Sequence, residues 1–267
     1  MDGFNGLRTF IHDGYGICLG SEKDYLVVSR LTPLLRETGL ANLRALYDMI
    51  IQEPKGNLAQ HVVAALTTNE TSWFRDGRPF EFFKNTVLPQ LLKTKSKDQT
   101  IRIWSAAAST GQEAYSIAMC LDEGQHVGAP INVNIVASDI SGKALEQARA
   151  GLYTQFEMDR GLSATLCDRY FSKEGAQWRI KPALKSQIAF RHINLIEIPA
   201  DLGRFDVIFC RNVMIYFDDQ TRNKVMASLV QHLATGGYLF FGSAEAMSGY
   251  AQDMLTMISP GIYQKNS

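Results

Sequence analysis

The chain has 267 residues, 46% hydrophobic and 20% charged, which is enough for one large or two modest globular domains and unlike a disordered chain. Its 27 Lys and Arg balance 27 Asp and Glu, so no excess of basic charge argues for a nucleic-acid or anionic-membrane partner. No basic stretch followed by an apolar run opens the sequence, and no window approaches the roughly 20 apolar residues that span a bilayer; the expectation is a cytoplasmic protein without membrane insertion.

From residue 4 to about 66 the sequence carries helical periodicity and no convincing strand. Phe4, Leu7, Phe10 and Ile11 mark one short face. Ser21 is placed to cap a second helix that buries Tyr25, Val28, Leu31 and Leu35, and Gly39 to end it. Asn42 precedes a third helix with Leu43, Leu46, Met49 and Ile50; Pro54 and Gly56 break it, and a fourth runs to about Leu66. Residues 1–76 are therefore expected to form an N-terminal helical domain with its linker. Within the linker, Thr67-Thr-Asn-Glu-Thr-Ser-Trp-Phe-Arg-Asp76 mixes hydrogen-bonding side chains, a cation and two large aromatics, and such junctions often line ligand clefts.

Residues 77–267 read as a second domain of alternating strands and helices. A helix over Phe80 to about Leu92, kinked at Pro89, leads to a strand at Ile101–Trp104. A helix begins near Gln112, a strand covers Val133–Ala137, and a helix covers Lys143–Ala150. Trp178–Ile180 and Gln187–Phe190 look like a β-hairpin, making residues 171–192 a small inserted β subdomain. A strand at Phe205–Cys210, a helix from about Gln220 to Leu233 and a strand at Tyr238–Phe241 complete the order. Alternation of this kind predicts an α/β fold with a parallel, doubly wound sheet.

Ligands of such sheets bind beyond the carboxyl ends of the strands. After the first strand comes Ser105-Ala-Ala-Ala-Ser-Thr-Gly-Gln-Glu113, whose small residues permit close approach to a ligand; a tight turn would need them as well. Asp139 follows the second strand, where an acid can bind ribose hydroxyls or cap a helix. Arg211 and Asn212 lie between two apolar runs, and Asn194 offers an amide that could read an adenine. With no G-x-G-x-x-G, a pyrophosphate cradle and a nicotinamide oxidoreductase are poorly supported. A nucleoside ligand without pyrophosphate fits best, and S-adenosylmethionine is the obvious candidate. Cys18, Cys120, Cys167, Cys210 and the five histidines are scattered without metal-ligand spacing, so no metal site is expected.

At this point the chain resembles the CheR-type chemotaxis protein methyltransferases, which methylate glutamates of methyl-accepting chemotaxis receptors. The matching motifs are residues 67–75, residues 105–113, Ala137-Ser-Asp139-Ile, Phe209-Cys-Arg-Asn-Val-Met-Ile-Tyr-Phe217 and Gly236-Gly-Tyr-Leu-Phe-Phe-Gly242. The resemblance covers nearly the whole chain and implies a Rossmann-like class I methyltransferase sheet. By that resemblance Asn69, Thr71, Arg75, Glu113, Asp139, Asn194, Leu195, Arg211 and Asn212 contact S-adenosylmethionine, the product being S-adenosylhomocysteine. Arg75 and Tyr216 lie nearest the transferred methyl group, and Arg30 and Arg36 meet the receptor's methylation helices. Gln112 and Ala114 depart from the family's usual Glu and Pro. Some members grip a receptor pentapeptide with the hairpin; the short, glycine-free Lys181–Ser186 connection here points to the tether-independent kind. A monomer is expected. A non-catalytic S-adenosylmethionine-binding adaptor on the same fold is the competing reading.

Overall fold

The computed structural model describes residues 3–96, 98–125, 132–243, 245 and 253–266. Helices α1 (Gly3–Tyr15), α2 (Asp24–Thr38), α3 (Leu43–Ile50) and α4 (Asn57–Leu66) precede the first strand. Asn42 caps α3 by accepting the Ala45 N–H at 3.0 Å, and Gly39 ends α2 in the left-handed region with its N–H on the Leu35 carbonyl. Ser21 does not cap α2; it opens a single 3-10 turn, and α2 starts at Asp24 without a side-chain cap.

The buried face of α2 is Val27, Leu31 and Leu34, whereas Tyr25 and Val28 are 67% and 44% exposed. The run Tyr25-Leu-Val-Val28 is apolar on every side, so its periodicity does not select a phase. Packing of α2 against α4 selects it. Met49 on α3 is likewise exposed, and Leu46 and Ile50 carry that helix's burial.

Next come α5 (Arg78–Phe82), a π-helical turn at Phe83–Val87 and α6 (Leu88–Thr94). Proline lacks an N–H and its ring crowds the carbonyl four residues back, so the widened turn just before Pro89 is the form the expected kink takes. The chain continues through β1 (Ile101–Ala106), α7 (Gln112–Gln125), β2 (Val133–Asp139), α8 (Gly142–Ala150), β3 (Leu152–Thr154), α9 (Gln155–Met158) and α10 (Ala164–Tyr170). Then follow β4 (Phe171–Glu174), β5 (Gln177–Ile180), α11 (Pro182–Lys185), β6 (Ile188–His192), β7 (Phe205–Cys210), α12 (Asp219–His232), β8 (Leu233–Phe240), β9 (Leu255–Ser259) and β10 (Ile262–Lys265).

Seven strands form one sheet in the order β6-β2-β1-β7-β8-β10-β9. The first five run parallel, and β10 and β9 add antiparallel at one edge, a pair absent from the sequence expectation. Side chains alternate between two cores: Ile101 and Ile103 point to one, Trp104 and Ala106 to the other. Both faces are covered, as a mostly parallel sheet requires. α1–α4 and α12 pack on the Trp104 side, α5–α7 and the small subdomain on the Ile103 side. The connection from β6 to β7 crosses β2 and β1, so the order reverses at β1 and leaves a crevice at its carboxyl end.

The inserted subdomain differs from expectation. Trp178–Ile180 pairs with β4 and β3 in a separate three-stranded sheet of order β3-β5-β4, whereas Ile188–His192 belongs to the main sheet beside β2. The hairpin turn is Gly175-Ala176, with Gly175 at φ +60°, and Lys181–Ser186 contains α11 rather than a hairpin loop. The ground for expecting the tether-independent kind is thereby removed.

Trp73 locks the linker into this framework. It is 1% exposed, edge-on to Tyr153 at 4.8 Å and Phe171 at 5.2 Å, and its backbone N–H donates to the Arg160 carbonyl at 3.0 Å. Gly161 follows at φ +107°, where a Cβ would lie 2.1 Å from the Trp73 carbonyl oxygen. Trp73→Ala is expected to lower unfolding free energy by about 3–5 kcal/mol in urea titrations, through the cavity it leaves. Phe156→Ala, at a side chain 71% exposed, is expected to stay within about 0.5 kcal/mol of the native chain.

Candidate active site

A cleft of about 270 Å³ opens at the carboxyl ends of β1, β2 and β7, closed over by α2, the 15–19 segment and the linker. Asn69, Thr71, Arg75, Glu113, Asp139, Asn194, Leu195, Arg211 and Asn212 all line it, together with Tyr216 and Arg30. Residues as far apart in sequence as Arg30 and Tyr216 thus converge on one crevice. Arg36 is exposed and does not line it. Residues 30 and 36 are six apart, which is about 240° around a helix, so the two arginines leave α2 in different directions.

Arg211 is the buried centre of the cleft wall, its side chain 1% exposed. One guanidinium nitrogen lies 3.2 Å from Glu113 Oε2; the other donates to Asp76 Oδ2 at 2.7 Å and to the Arg75 carbonyl at 2.8 Å. The guanidinium carbon stands 5.5 Å from the centre of the Phe80 ring. Arg211 Nε is buried without an acceptor among the described residues. Glu113 also accepts from the Ser105 hydroxyl at 2.7 Å. Burial pushes its carboxyl above the usual range, against the pull of Arg211 and Ser105.

Asp139 is held by the N–H groups of Ser109 and Ser141, each at 2.8 Å. Burial raises its pKa, and the backbone N–H groups of Ser141, Ser109 and Ile140 oppose the rise. The β1–α7 turn takes the left-handed region at Ala107 (φ 65°) and Ser109 (51°). The other non-glycine residues with positive φ among the described residues are Phe74 (45°), Asp76 (68°) and Asn212 (58°). All five lie in the three segments that wall the cleft. Backbone conformations of this kind cost free energy and persist where surrounding contacts over-determine them.

One such contact is Glu245, which the sequence reading missed. This carboxylate, 8% exposed, accepts from the N–H groups of Gly242 at 2.7 Å, Asn212 at 2.8 Å and Met214 at 2.7 Å. It holds the turn after β7 in the shape that points Asn212 and Tyr216 at the cleft. The only sequence signal is an acid shortly after the last parallel strand, in a stretch that reads as an ordinary loop.

Two expected roles are modified. The Asn194 amide donates to the Gly14 carbonyl at 2.8 Å and its carbonyl accepts the Ile196 N–H at 3.2 Å, so part of its capacity ties α1 to the loop after β6. Arg30 donates to the Leu66 carbonyl at 3.0 Å, the Thr67 carbonyl at 3.3 Å and the Thr68 hydroxyl at 3.1 Å, closing the C-terminus of α4. Arg75 donates to the Glu70 carbonyl at 2.9 Å, which leaves most of its fork of N–H groups uncommitted in that contact.

Two family models match the chain. The one described as CheR methyltransferase, SAM binding domain, covers residues 69–262, and the one described as CheR methyltransferase, all-alpha domain, covers residues 2–67. Chemotaxis protein methyltransferase Cher2 of Pseudomonas putida is 42% identical over 264 residues, spanning 97% of this chain and 96% of that protein. Chemotaxis protein methyltransferase 1 of Pseudomonas aeruginosa is 44% identical over 264 residues with the same coverage. The chemotaxis protein methyltransferase of Vibrio parahaemolyticus is 41% identical over 98% of this chain and 96% of its own. A solved glycopeptide N-methyltransferase, MtfA with sinefungin, aligns at a TM-score of 0.39 and 13% identity over 64% of this chain and 54% of its own, too distant to carry an argument.

The residues present fit S-adenosylmethionine. The cleft offers Asp139 and Glu113 as acceptors beside small residues at Ala107 and Ser109, apolar Ile140 and Leu195, and an unpartnered Arg211 Nε.

Since an ionised Asp139 accepts hydroxyl hydrogen bonds better, S-adenosylhomocysteine affinity is expected to tighten as pH rises past the ordinary aspartate value of about 3.9 and through the raised value. Asp139→Asn is expected to weaken binding and flatten that profile in calorimetry. For the ligand-free protein the sign is opposite: the folded chain keeps a proton that the unfolded chain has lost, so this carboxyl's contribution to stability falls over the same window. Glu245→Gln places an amide N–H against at least one backbone N–H. It is expected to weaken S-adenosylhomocysteine binding about tenfold, and an unchanged Kd would separate the turn from cofactor binding.

Proposed function

The chain belongs to the CheR methyltransferase family, and from that premise we propose that it methylates glutamate side chains of methyl-accepting chemotaxis receptors, giving glutamate 5-O-methyl esters in the cytoplasm of a bacterium. S-adenosylmethionine supplies an electrophilic methyl group. The observation that carries the reading is the state of the cleft's acids. Glu113 and Asp139 are both buried and tied by hydrogen bonds, Glu70 is paired with Arg160, and none of the described residues lining the cleft is a histidine. Among its carboxylates and histidines such a site offers no free general base. It suits an acceptor that arrives ionised, as a glutamate does at neutral pH with an ordinary pKa of about 4.3.

The enzyme's work is then alignment, which can supply roughly 7–11 kcal/mol. Arg75 lies on the linker wall, its carbonyl held by Arg211 and its guanidinium steadied by Glu70, where it can orient the acceptor carboxylate. Tyr216 also lines the cleft, its carbonyl fixed by the Cys18 N–H at 2.9 Å. Tyr216 packs beside the reacting centre and helps exclude water. On α2, Arg36 with exposed Tyr25 and Val28 forms the outer face that meets receptor helices, while Arg30 holds α2 to the linker. No helix among the described residues is long and apolar enough to cross a membrane. On this reading the receptor is met where its methylation helices lie in the cytoplasm, and the enzyme acts as a monomer.

Incubation with radiolabelled S-adenosylmethionine and chemoreceptor-containing membranes is expected to give base-labile label on a receptor-sized band. Label that survives base would exclude a carboxyl methyl ester. Arg75→Ala is expected to cut turnover about a hundredfold. Full turnover with unchanged cofactor affinity would remove Arg75 from the reaction. Arg36→Glu is expected to raise KM for receptor and leave S-adenosylhomocysteine affinity unchanged.

A further inference from the structure

Spacing along the sequence gave no metal site, yet the fold brings His12, Cys18 and Asp218 together, with one donor atom of each within 4.8 Å of the others. They come from three elements. His12 is near the C-terminus of α1, Cys18 is in the segment that follows it, and Asp218 is the residue before α12. We propose that His12, Cys18 and Asp218 form a zinc-binding clamp that joins the N-terminal helices to α12 at the edge of the cleft.

The donor set suits that ion. Imidazole nitrogen, thiolate sulfur and carboxylate oxygen are its usual ligands, and three protein ligands with one open position form a common site. A neutral imidazole, a thiolate and a carboxylate bring two negative charges to a dication. The Cys18 thiol gives its proton to the buffer on coordination. Bonds of about 2.0–2.3 Å in a tetrahedron put donors roughly 3.5 Å apart. His12 Nε2 and Asp218 Oδ2 are now 2.7 Å apart and must part slightly, while the thiol moves inward. All three side chains are partly exposed, so such shifts meet little resistance.

Two contacts make this more than proximity. His12 Nδ1 lies 2.9 Å from the Asp13 carboxylate, the arrangement that fixes a ligating imidazole with Nε2 toward the metal. Asp218 divides its oxygens: Oδ1 caps α12 through the Thr221 N–H at 2.7 Å, and Oδ2 faces His12. The clamp would act on the same joint as the isolated β-bridge between Ile17 and Phe217, beside the Cys18 N–H bond to Tyr216. Its ion would thereby brace the cleft edge.

The test uses the reduced full chain without cofactor, so its outcome is independent of methyl transfer. Titration with Co²⁺ is expected to give one equivalent of binding, with a thiolate-to-metal charge-transfer band that Zn²⁺ displaces. Cys18→Ser is expected to abolish the band, and Cys167→Ser, at the other partly exposed cysteine, to leave it intact. His12→Gln, on an exposed face, and Asp13→Asn are each expected to weaken affinity about tenfold or more. Zn²⁺ is expected to raise the Tm of the native chain and not of Cys18→Ser. Absence of stoichiometric binding, or binding unchanged by Cys18→Ser and His12→Gln, would mean an adventitious ion only and overturn the clamp.

Discussion

The architecture of the site depends on one buried cation. Arg211 leaves the end of β7 and is met by Glu113 from α7 and by Asp76 and the Arg75 carbonyl from the linker. Two central strands' connections and the link between the domains are thus fixed to one planar fork. A lysine could not do this, because its single ammonium cannot span partners in three directions with defined geometry. Desolvating a guanidinium and two carboxylates is expensive, and a buried ion cluster is weak evidence of stability by itself. What the cluster provides is position. Removing its cation would leave Glu113 buried and uncompensated, and burial already pushes that carboxyl toward its neutral form.

Around that cation the backbone is held in shapes it does not prefer. Ala107, Ser109 and Asn212 take left-handed conformations and, like Phe74 and Asp76, have no glycine's freedom to do so. Each is secured by a carboxylate or by packing. Asp139 takes the Ser109 N–H, Glu245 takes the Asn212 N–H, and Arg211 takes Asp76. Buried acids therefore act here as acceptors for backbone N–H groups as much as charges. Because the chain itself supplies these contacts, less ordering is left for ligand binding to bring about.

The parallel sheet, the cleft and its strand-end residues could be read from the sequence because they follow local rules, whereas Thr71, Arg75, Leu195 and Tyr216 are legible only through the family resemblance. Strands alternate with helices, small residues follow β1, and an acid follows β2. Long-range choices could not be read that way. Trp178–Ile180 is a strand in either pairing, and only the fold shows its partners to be β3 and β4 rather than Ile188–His192. Tyr25 and Val28 lie in an apolar run with no phase of its own. Glu245 looks like a loop acid until three N–H groups from two segments surround it. His12, Cys18 and Asp218 have no common motif, since 200 residues separate the last from the second and the fold alone supplies their proximity.

The N-terminal helices are not an appendage to the catalytic domain. Val27 and Leu26 of α2 line the cleft, Arg30 closes α4 beside the linker, and the 15–19 segment pairs with the loop that carries Tyr216. A helix with its side chains is about 10–12 Å across. On the proposed reading, a receptor helix on the outer face of α2 would lie only that distance from the wall of the cofactor cleft. A docked acceptor would then need to reach around one helix. Displacement of α2 would be felt through Arg30 at residues 66–68 and, through the linker, at Arg75 and Arg211. Docking and alignment would share a short, continuous set of packed and hydrogen-bonded groups, so a receptor that seats badly on α2 would also align badly at the methyl group.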